Sequence, residues 1–226
     1  MLLRRKHNYL DCFRIALPSK GRLKPSALKI LEEIGLKIEE QERKYILKTS
    51  NPEFEVVLAR AFDIPLYVQY GAATLGITGH DIILEREADV YEVSDLKFGK
   101  CKLVLAVPME AEWNKAIELP SNTRVATEFP NLTRKFFNSL KKPVEILTVR
   151  GSAELTPKLG LADAIVDLST TGETLRKNGL KEIEVILEST ARLICNKIAY
   201  RSFNKIKEFI EKVDEIVKKN EAFNQT

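Results

Sequence analysis

Two kinds of hydrophobic pattern, one typical of strands and one typical of helices, alternate along most of this chain. Short apolar runs such as FEVVLA (54–59) and ADAIVDL (162–168) predict buried strands. Between such runs, apolar residues recur three and four positions apart, as in the segment from about Pro25 to Ile34, and predict helices. Strands that alternate with helices favour an α/β fold of mainly parallel sheets covered by helices on both faces.

A polar stretch interrupts this alternation once, from Ser94 to Lys100. We place a domain crossover there and expect the chain to return to the first domain near its end. Domain I is then residues 1–101 plus 187–226, and domain II is residues 102–186. Two such lobes predict a cleft between them, and α/β proteins bind ligands beyond the carboxyl ends of their strands.

Two further segments are predicted to be helical. SAELTPKLG (152–160) lies between two predicted strands, and the segment from about Arg201 to Lys219 is strongly amphipathic. The second segment is expected to cover domain I.

Composition excludes several classes of protein. Three scattered cysteines, Cys12, Cys101 and Cys195, argue against a disulfide framework and for a reducing compartment. Only His7 and His80 are available as imidazole ligands, so a protein-built zinc site is not expected. No apolar run is long enough to span a bilayer and no signal peptide is visible, which predicts a cytoplasmic protein without a membrane partner.

The net charge of +4 in 226 residues is mild. It suits anionic small molecules as well as nucleic acid, and it does not choose between them. The basic start, MLLRRKH, is more typical of a solvated terminus than of a nucleic-acid arm.

The segment from Ala162 to Leu180 carries the strongest chemical signal. An apolar strand ends near Asp167, a loop of small polar residues follows, and a helix opens at Glu173. Free backbone N–H groups and hydroxyls in such a loop suit a phosphate, and glycine permits a close approach of the backbone. Asp167 would then accept hydrogen bonds from a sugar diol. The local pattern also fits a simple helix cap, and the residues alone leave both interpretations open. The loop residues concerned are Ser169, Thr170, Thr171, Gly172, Glu173 and Thr174.

A family resemblance bears on this choice. DLSTTGETL (167–175) resembles the phosphoribosyl-pyrophosphate loop of ATP phosphoribosyltransferases, with Thr170 where that family often has Glu or Ser. The preceding RGSAELTPKLGLADAIVDL is similar to the family's G-S-x-E-x-A-P…G-x-A-D-x-I-x-D segment, and it contains Glu154 as a further substrate-binding candidate. The resemblance runs from about Arg14 to Asn196.

Other segments match the same family in the same order. RIALPSKGRL resembles A-x-P-K-G-R-L and supplies Lys20 and Arg22, while ARAFDIP resembles R-x-x-D-I/V-P and supplies Arg60. The resemblance implies that these cations stabilise substrate phosphates and the leaving group. GAATLGITGHDIILE resembles G-x-A-D-x-G-I-x-G-x-D-x-L-x-E and makes Gly79 and Asp81 candidates for substrate binding.

The implied reaction transfers the phosphoribosyl group of phosphoribosyl pyrophosphate to adenine N-1 of ATP, releasing pyrophosphate. It is the first step of histidine biosynthesis. Mg²⁺ is expected as cofactor, held through substrate phosphates rather than by protein ligands. No residue is assigned as a general acid or base.

The resemblance also implies protein partners, and the two-lobed layout suggests an alternative function. Family members form dimers or larger assemblies, and short forms without the C-terminal regulatory domain, which this chain is expected to be, often work with a regulatory subunit similar to histidyl-tRNA synthetase. The segment FGKCKLVLAVPMEAEW is closer to the long-form core, which leaves the need for such a subunit open. The two-lobed layout also resembles periplasmic solute-binding proteins, so a non-enzymatic protein that binds small anions is the alternative.

Overall fold

A computed structural model describes residues 12–39 and 44–223 of the chain. The basic start and His7 lie outside the described residues. The chain divides into two compact units, each with its own sheet. Unit 1 contains the residues up to Gly99 and those from Thr190 onward, and unit 2 is Lys100–Ser189.

The secondary structure alternates along the chain. The strands are β1 Phe13–Pro18, β2 Ile46–Lys48, β3 Phe54–Ala59, β4 Leu75–Gly79, β5 Tyr91–Asp95, β6 Cys101–Pro108, β7 Thr123–Thr127, β8 Val144–Thr148, β9 Ala164–Ser169, β10 Leu180–Ser189 and β11 Ala191–Cys195. The helices are α1 Lys24–Glu33, α2 Ile64–Gln69, α3 His80–Glu85, α4 Pro130–Ser139, α5 Glu173–Lys177, α6 Lys197–Ser202 and α7 Asn204–Phe223. Short 3-10 turns occupy Ala61–Asp63, Ala116–Glu118 and Ala153–Leu155.

Unit 1 is a sheet in the order β2-β3-β1-β4-β11-β5 with helices on both faces. Alternation along β1 explains the two layers. Ile15 and Leu17 face a core shared with α1 and α7, while Ala16 faces a second core shared with α2 and α3. The C-terminal α7 buries its predicted apolar stripe, including Phe209 and Val213, against the first of these cores.

Unit 2 is a sheet in the order β10-β6-β9-β7-β8. Val104, Ile165 and Leu175 belong to one buried cluster, so α5 packs on the same face as the central strands β6 and β9. The sheet places β7, β8 and β9 parallel to one another. Their carboxyl ends therefore lie at one edge, and that edge carries most of the predicted chemistry.

The α/β class and the helices on the sheets are confirmed, but the sheets are mixed rather than mainly parallel. Among the described strands, β11 returns antiparallel between β4 and β5, and β6 lies antiparallel to both β9 and β10. These are the strands that carry the chain into and out of unit 2. The hydrophobic pattern does not distinguish a strand that returns from one that follows a crossover helix.

Two local expectations also need correction. The predicted helix in 152–160 is only the 3-10 turn Ala153–Leu155 followed by turns, since Pro157 and Gly160 leave no room for regular helix. The passage back to unit 1 comes after Ser189 rather than before residue 187, because β10 pairs with β6 as far as the Ser189–Cys101 pair. Cys101 accordingly lies in unit 2.

Candidate functional site

The candidate site in unit 2 begins where β7 and β9 end side by side. In the parallel register Thr127 lies opposite Val166, so the next residues, Glu128 and Asp167, come at the same level of neighbouring strands. The connection after β8 reaches the same edge, because the Val149 amide donates to the Thr127 carbonyl at 3.0 Å. Three connections thus bring polar side chains to one edge of the sheet.

The turn from Ser169 to Thr174 joins β9 to α5. Its first residue is held inside: Ser169 is only 8% exposed, and its hydroxyl accepts the Gly172 amide at 3.1 Å. The Arg176 guanidinium donates to the Thr171 carbonyl at 3.1 Å and closes the turn from the helix side. These contacts fix the backbone of the turn without covering its outer surface.

The outer surface of the turn presents free donors. Thr170, Thr171 and Thr174 are exposed. Within the part of the chain that the structure describes, the Thr170 and Thr171 amides donate to no protein acceptor, and the Thr170 and Thr174 hydroxyls have no protein partner. The Thr171 hydroxyl accepts the Glu173 amide at 3.4 Å, which leaves its own proton available. Amides and hydroxyls grouped in this way suit an anion with several oxygens.

Gly172 is required by the shape of the turn. Its φ of +73° lies in the left-handed region. A Cβ at this position would also lie 2.9 Å from Arg176 Nη1 and 2.9 Å from Glu182 Oε1. Both the backbone conformation and the lack of space therefore demand glycine.

Asp167 is half-buried at the end of β9, and its Oδ1 accepts the Leu168 amide at 2.7 Å. Burial, together with the nearby Glu154 and Glu128 carboxylates, raises the pKa of the Asp167 carboxyl from its ordinary 3.8 to about 6, against the lowering effect of its hydrogen bond from the Leu168 amide. Three acidic side chains, one in β9 and two from the connections after β7 and β8, are thus close enough to interact beside the turn. A buried carboxylate with a raised pKa at such an edge is typical of a functional position.

Glu128 is the member of this acidic group that sequence reasoning missed. Its carboxylate accepts the Gly151 amide, which ties the end of β7 to the connection carrying Glu154. Its position directly after the strand Thr123–Thr127, at the end of an apolar run, was the available signal. A single acidic residue at a strand end is too common a pattern to identify a site.

The basic candidates lie in unit 1. Lys20 and Arg22 follow β1 and are exposed, and Arg22 donates to the Gly99 carbonyl. Arg60 follows β3 and is exposed, in an extended conformation that opens the 3-10 turn before α2. All three follow the carboxyl ends of β1 and β3, which are parallel neighbours.

Gly79 and Asp81 are placed differently from the other candidates. Gly79 ends β4 and Asp81 lies in the first turn of α3, and the structure buries both, with Asp81 0% exposed. Thr74, which stands where the resembling family has Asp, is also buried, and its hydroxyl accepts the Arg14 amide at 3.4 Å. All three residues are therefore enclosed in the interior of unit 1.

Among residues 12–39 and 44–223, no group of three or more His, Cys, Asp or Glu side chains is arranged to hold a metal ion. No helix in the same ranges is both long and apolar enough for a membrane span.

Comparisons with known proteins identify the same family that the sequence motifs resemble. Residues 60–215 match the family model described as ATP phosphoribosyltransferase. The ATP phosphoribosyltransferase of Methanosarcina acetivorans is 48% identical over 195 residues, which cover 85% of this chain and 67% of that protein. The enzyme of the same name from Gloeothece citriformis is 42% identical over 207 residues, covering 89% of this chain and 96% of that protein.

Solved structures agree with this family and with the two-lobed fold. A chain of the ATP phosphoribosyl transferase (HisG:HisZ) complex from Thermotoga maritima superposes with a TM-score of 0.80 at 29% identity, covering 91% of this chain and 98% of that one. Holo ArgBP from T. maritima superposes with a TM-score of 0.59 at 15% identity over 94% of this chain and 91% of that one, a likeness of fold alone. The predicted likeness to periplasmic binding proteins is therefore confirmed at the level of the fold.

Proposed function

The chain belongs to the ATP phosphoribosyltransferase family, and we propose that its Ser169–Thr174 turn holds the 5′-phosphate of phosphoribosyl pyrophosphate while Asp167 holds the ribose hydroxyls. The activity is that of a pentosyltransferase in the first step of histidine biosynthesis. The observation that carries the assignment of the turn is its outer surface, where the donors of Thr170, Thr171 and Thr174 have no protein partner among the described residues.

The reaction determines what the site must stabilise. Adenine N-1 of ATP attacks the anomeric carbon, the bond to pyrophosphate breaks, and the configuration inverts. Positive charge develops on the sugar ring while negative charge develops on the leaving pyrophosphate. Fixed charges of both signs therefore contribute most when they face these two ends of the transition state.

The acidic group suits the sugar. Asp167 accepts hydrogen bonds from the ribose diol in its ionised form, which predominates above its pKa of about 6. Glu154 and Glu128 add negative charge close to Asp167. Together the three carboxylates favour a sugar ring that becomes positive during the transfer.

The cations of unit 1 suit the phosphates. Lys20 offers a compact point charge, and Arg22 and Arg60 offer planar guanidinium groups that fit phosphate oxygens. We assign them to the pyrophosphate leaving group or to the ATP phosphates. No general base is assigned, because N-1 of neutral adenine carries no proton that would have to be removed.

Mg²⁺, which the family implies, does not fit a protein-built cage here, since the described residues form no group of three or more candidate ligands. Magnesium prefers oxygen ligands and retains several waters. We propose that it enters with the substrate's phosphate oxygens. No step is assigned to it here.

The test compares two variants with the unaltered protein. Thr171→Val combined with Thr174→Val removes hydroxyls from the outer surface of the turn, and Asp167→Ala removes the diol acceptor. In steady-state assays of pyrophosphate release, each is expected to raise KM for phosphoribosyl pyrophosphate about tenfold or more, which corresponds to about 1.4 kcal/mol of lost binding. KM for ATP and the thermal unfolding midpoint serve as internal controls. Unchanged kinetics in both variants would remove the proposed site.

The rival interpretation, a non-enzymatic small-anion-binding protein, rests on fold likeness alone and is not favoured. Pyrophosphate release from ATP plus phosphoribosyl pyrophosphate separates the two. A binding protein would bind the sugar phosphate without releasing pyrophosphate.

We also propose an assembly partner. The T. maritima relative was solved in a HisG:HisZ complex. We propose that this chain likewise forms a homo-oligomer and joins a separate regulatory subunit of the histidyl-tRNA-synthetase-like kind. Light scattering of the chain alone and with such a subunit tests this, and a monomer under both conditions would contradict it.

A further inference from the structure

A carboxylate outside the acidic group, that of the exposed residue Glu182, is hydrogen-bonded to the phosphate turn. Glu182 lies on β10, which packs against α5. Its Oε1 accepts the hydroxyl proton of Ser169, and the Ser169 oxygen in turn accepts the Gly172 amide at 3.1 Å. The three residues form a chain of hydrogen bonds that runs from the sheet into the turn, and we refer to it as the Glu182–Ser169–Gly172 relay.

The direction of this relay limits what Ser169 can do. A serine hydroxyl has a single proton to donate, and here that proton is directed to Glu182. Ser169 is also nearly buried, with 8% of its surface exposed. While the relay is intact, Ser169 has no proton for a phosphate oxygen, although the sequence pattern had suggested it as a contact.

Arg176 completes the support from the helix side. Its Nη2 donates to the Thr171 carbonyl at 3.1 Å. Its Nη1 and the Oε1 of Glu182 each lie 2.9 Å from the point that a Cβ on Gly172 would occupy. The Arg176 guanidinium and the Glu182 carboxylate therefore border the same side of Gly172.

We propose that Glu182 is a positioning residue for the transfer reaction, one that orients Ser169 so that the turn presents its free amides and hydroxyls outward. The inference rests on the proposed role of the turn in holding the 5′-phosphate. Glu182 itself does not touch the substrate. It acts by fixing the Ser169 oxygen where the Gly172 amide can donate to it, and this leaves Thr170, Thr171 and Thr174 to face the ligand.

The kinetic test separates geometry from charge. Glu182→Leu removes the acceptor, whereas Glu182→Gln keeps an acceptor oxygen and removes the charge. For Glu182→Leu, KM for phosphoribosyl pyrophosphate is expected to rise about tenfold, while kcat changes less than about threefold and KM for ATP is unchanged. Glu182→Gln is expected to restore KM to within about twofold of the unaltered protein. Glu188→Leu, at an exposed position of the same strand, is the matched control.

Ser169→Ala gives an independent measurement. It breaks the relay at its middle, and the double variant with Glu182→Leu should be no worse than either single change, because both remove the same orientation. Hydrogen–deuterium exchange of the 169–175 peptide, measured without ligand, should be faster in both single variants. If Glu182→Leu does not fold, the kinetics and the exchange rate of Ser169→Ala still test whether the relay positions the turn.

The outcomes are distinguishable from those of the proposed function. If Thr171→Val with Thr174→Val raises KM but Glu182→Leu and Ser169→Ala leave it unchanged, the turn binds phosphate and the relay is wrong. If the threonine variant itself has no effect on KM, the proposed phosphate site fails first. If Glu182→Gln is as impaired as Glu182→Leu, the charge of Glu182 rather than its acceptor geometry matters, and the positioning role is overturned.

Discussion

Two connections in this protein follow the same sequence pattern, a buried strand, a glycine and a helix, yet they differ in what they expose. After β9, three residues, 170–172, separate the strand from α5, and the threonines of the turn face solvent. After β4, the helix α3 begins at the very next residue, and Gly79 and Asp81 are buried. The connection after β9 thus leaves its polar groups at the surface, whereas the connection after β4 encloses Gly79 and Asp81 in unit 1. If the turn after β9 binds phosphate as proposed, the residues between its strand and its helix are what keep its donors accessible.

The largest expected effect is the difference in activity between alanine substitutions at the two glycines, Gly172 and Gly79. Gly172→Ala places a Cβ at a φ of +73° and within 2.9 Å of two side chains. We expect kcat/KM for phosphoribosyl pyrophosphate to fall by about 100-fold, since the outward donors lose their positions. Gly79→Ala instead places a Cβ 2.3 Å from Asp81 Oδ1, inside unit 1. That variant should lower the thermal unfolding midpoint while KM stays near that of the unaltered protein. Equal kinetic effects of the two would contradict the comparison.

A second prediction uses the raised pKa of Asp167. Between about pH 4 and 6 the folded protein binds a proton at Asp167 that the unfolded chain has lost, so the unfolding free energy falls as pH rises through this window. Above pH 6 the half-buried carboxylate is ionised at a cost of roughly 2 kcal/mol, after allowance for its partial exposure. Asp167→Asn should therefore unfold at higher urea concentration than the unaltered protein at pH 8, show little difference at pH 4, and be poorly active.

Asp163 provides the control of opposite sign. Its hydrogen bond to the Arg124 side chain lowers the pKa of its carboxyl, so it contributes stability at neutral pH that is lost on acidification. Asp163→Asn should lower the urea midpoint at pH 8. If both variants moved the midpoint in the same direction at pH 8, the assignment of a raised pKa to Asp167 would be wrong.

The smallest expected effect concerns Asp81. Since this carboxyl is buried in unit 1, Asp81→Asn should change KM for either substrate less than about twofold and change the unfolding free energy by about 1 kcal/mol, because it alters a polar group in the interior. Steady-state kinetics with urea unfolding measure both quantities. A large rise in either KM with unchanged stability would return Asp81 to the substrate site.

Much of this arrangement could be predicted from the sequence. The apolar period located β3, β9 and α7. For the run after β9 the residues alone left a phosphate-binding turn and a simple helix cap both open, and the family resemblance favoured the first. The 3-10 turn at Ala153–Leu155 was missed because apolar spacing over nine residues fits a helix even when proline and glycine break it. Glu128 and Glu182 were missed because each becomes informative only through a partner distant in the chain.

The residue types and their order along the chain determined the α/β class and the family, and they located the loop for which we propose phosphate binding. Only the tertiary structure decided which strands return antiparallel, which of the two glycine connections stays open, and that the Ser169 hydroxyl is used by the protein itself. The reason is physical. Local periodicity records which face of an element is apolar, whereas the partner of a hydroxyl or a carboxylate depends on distances between segments that the sequence keeps apart.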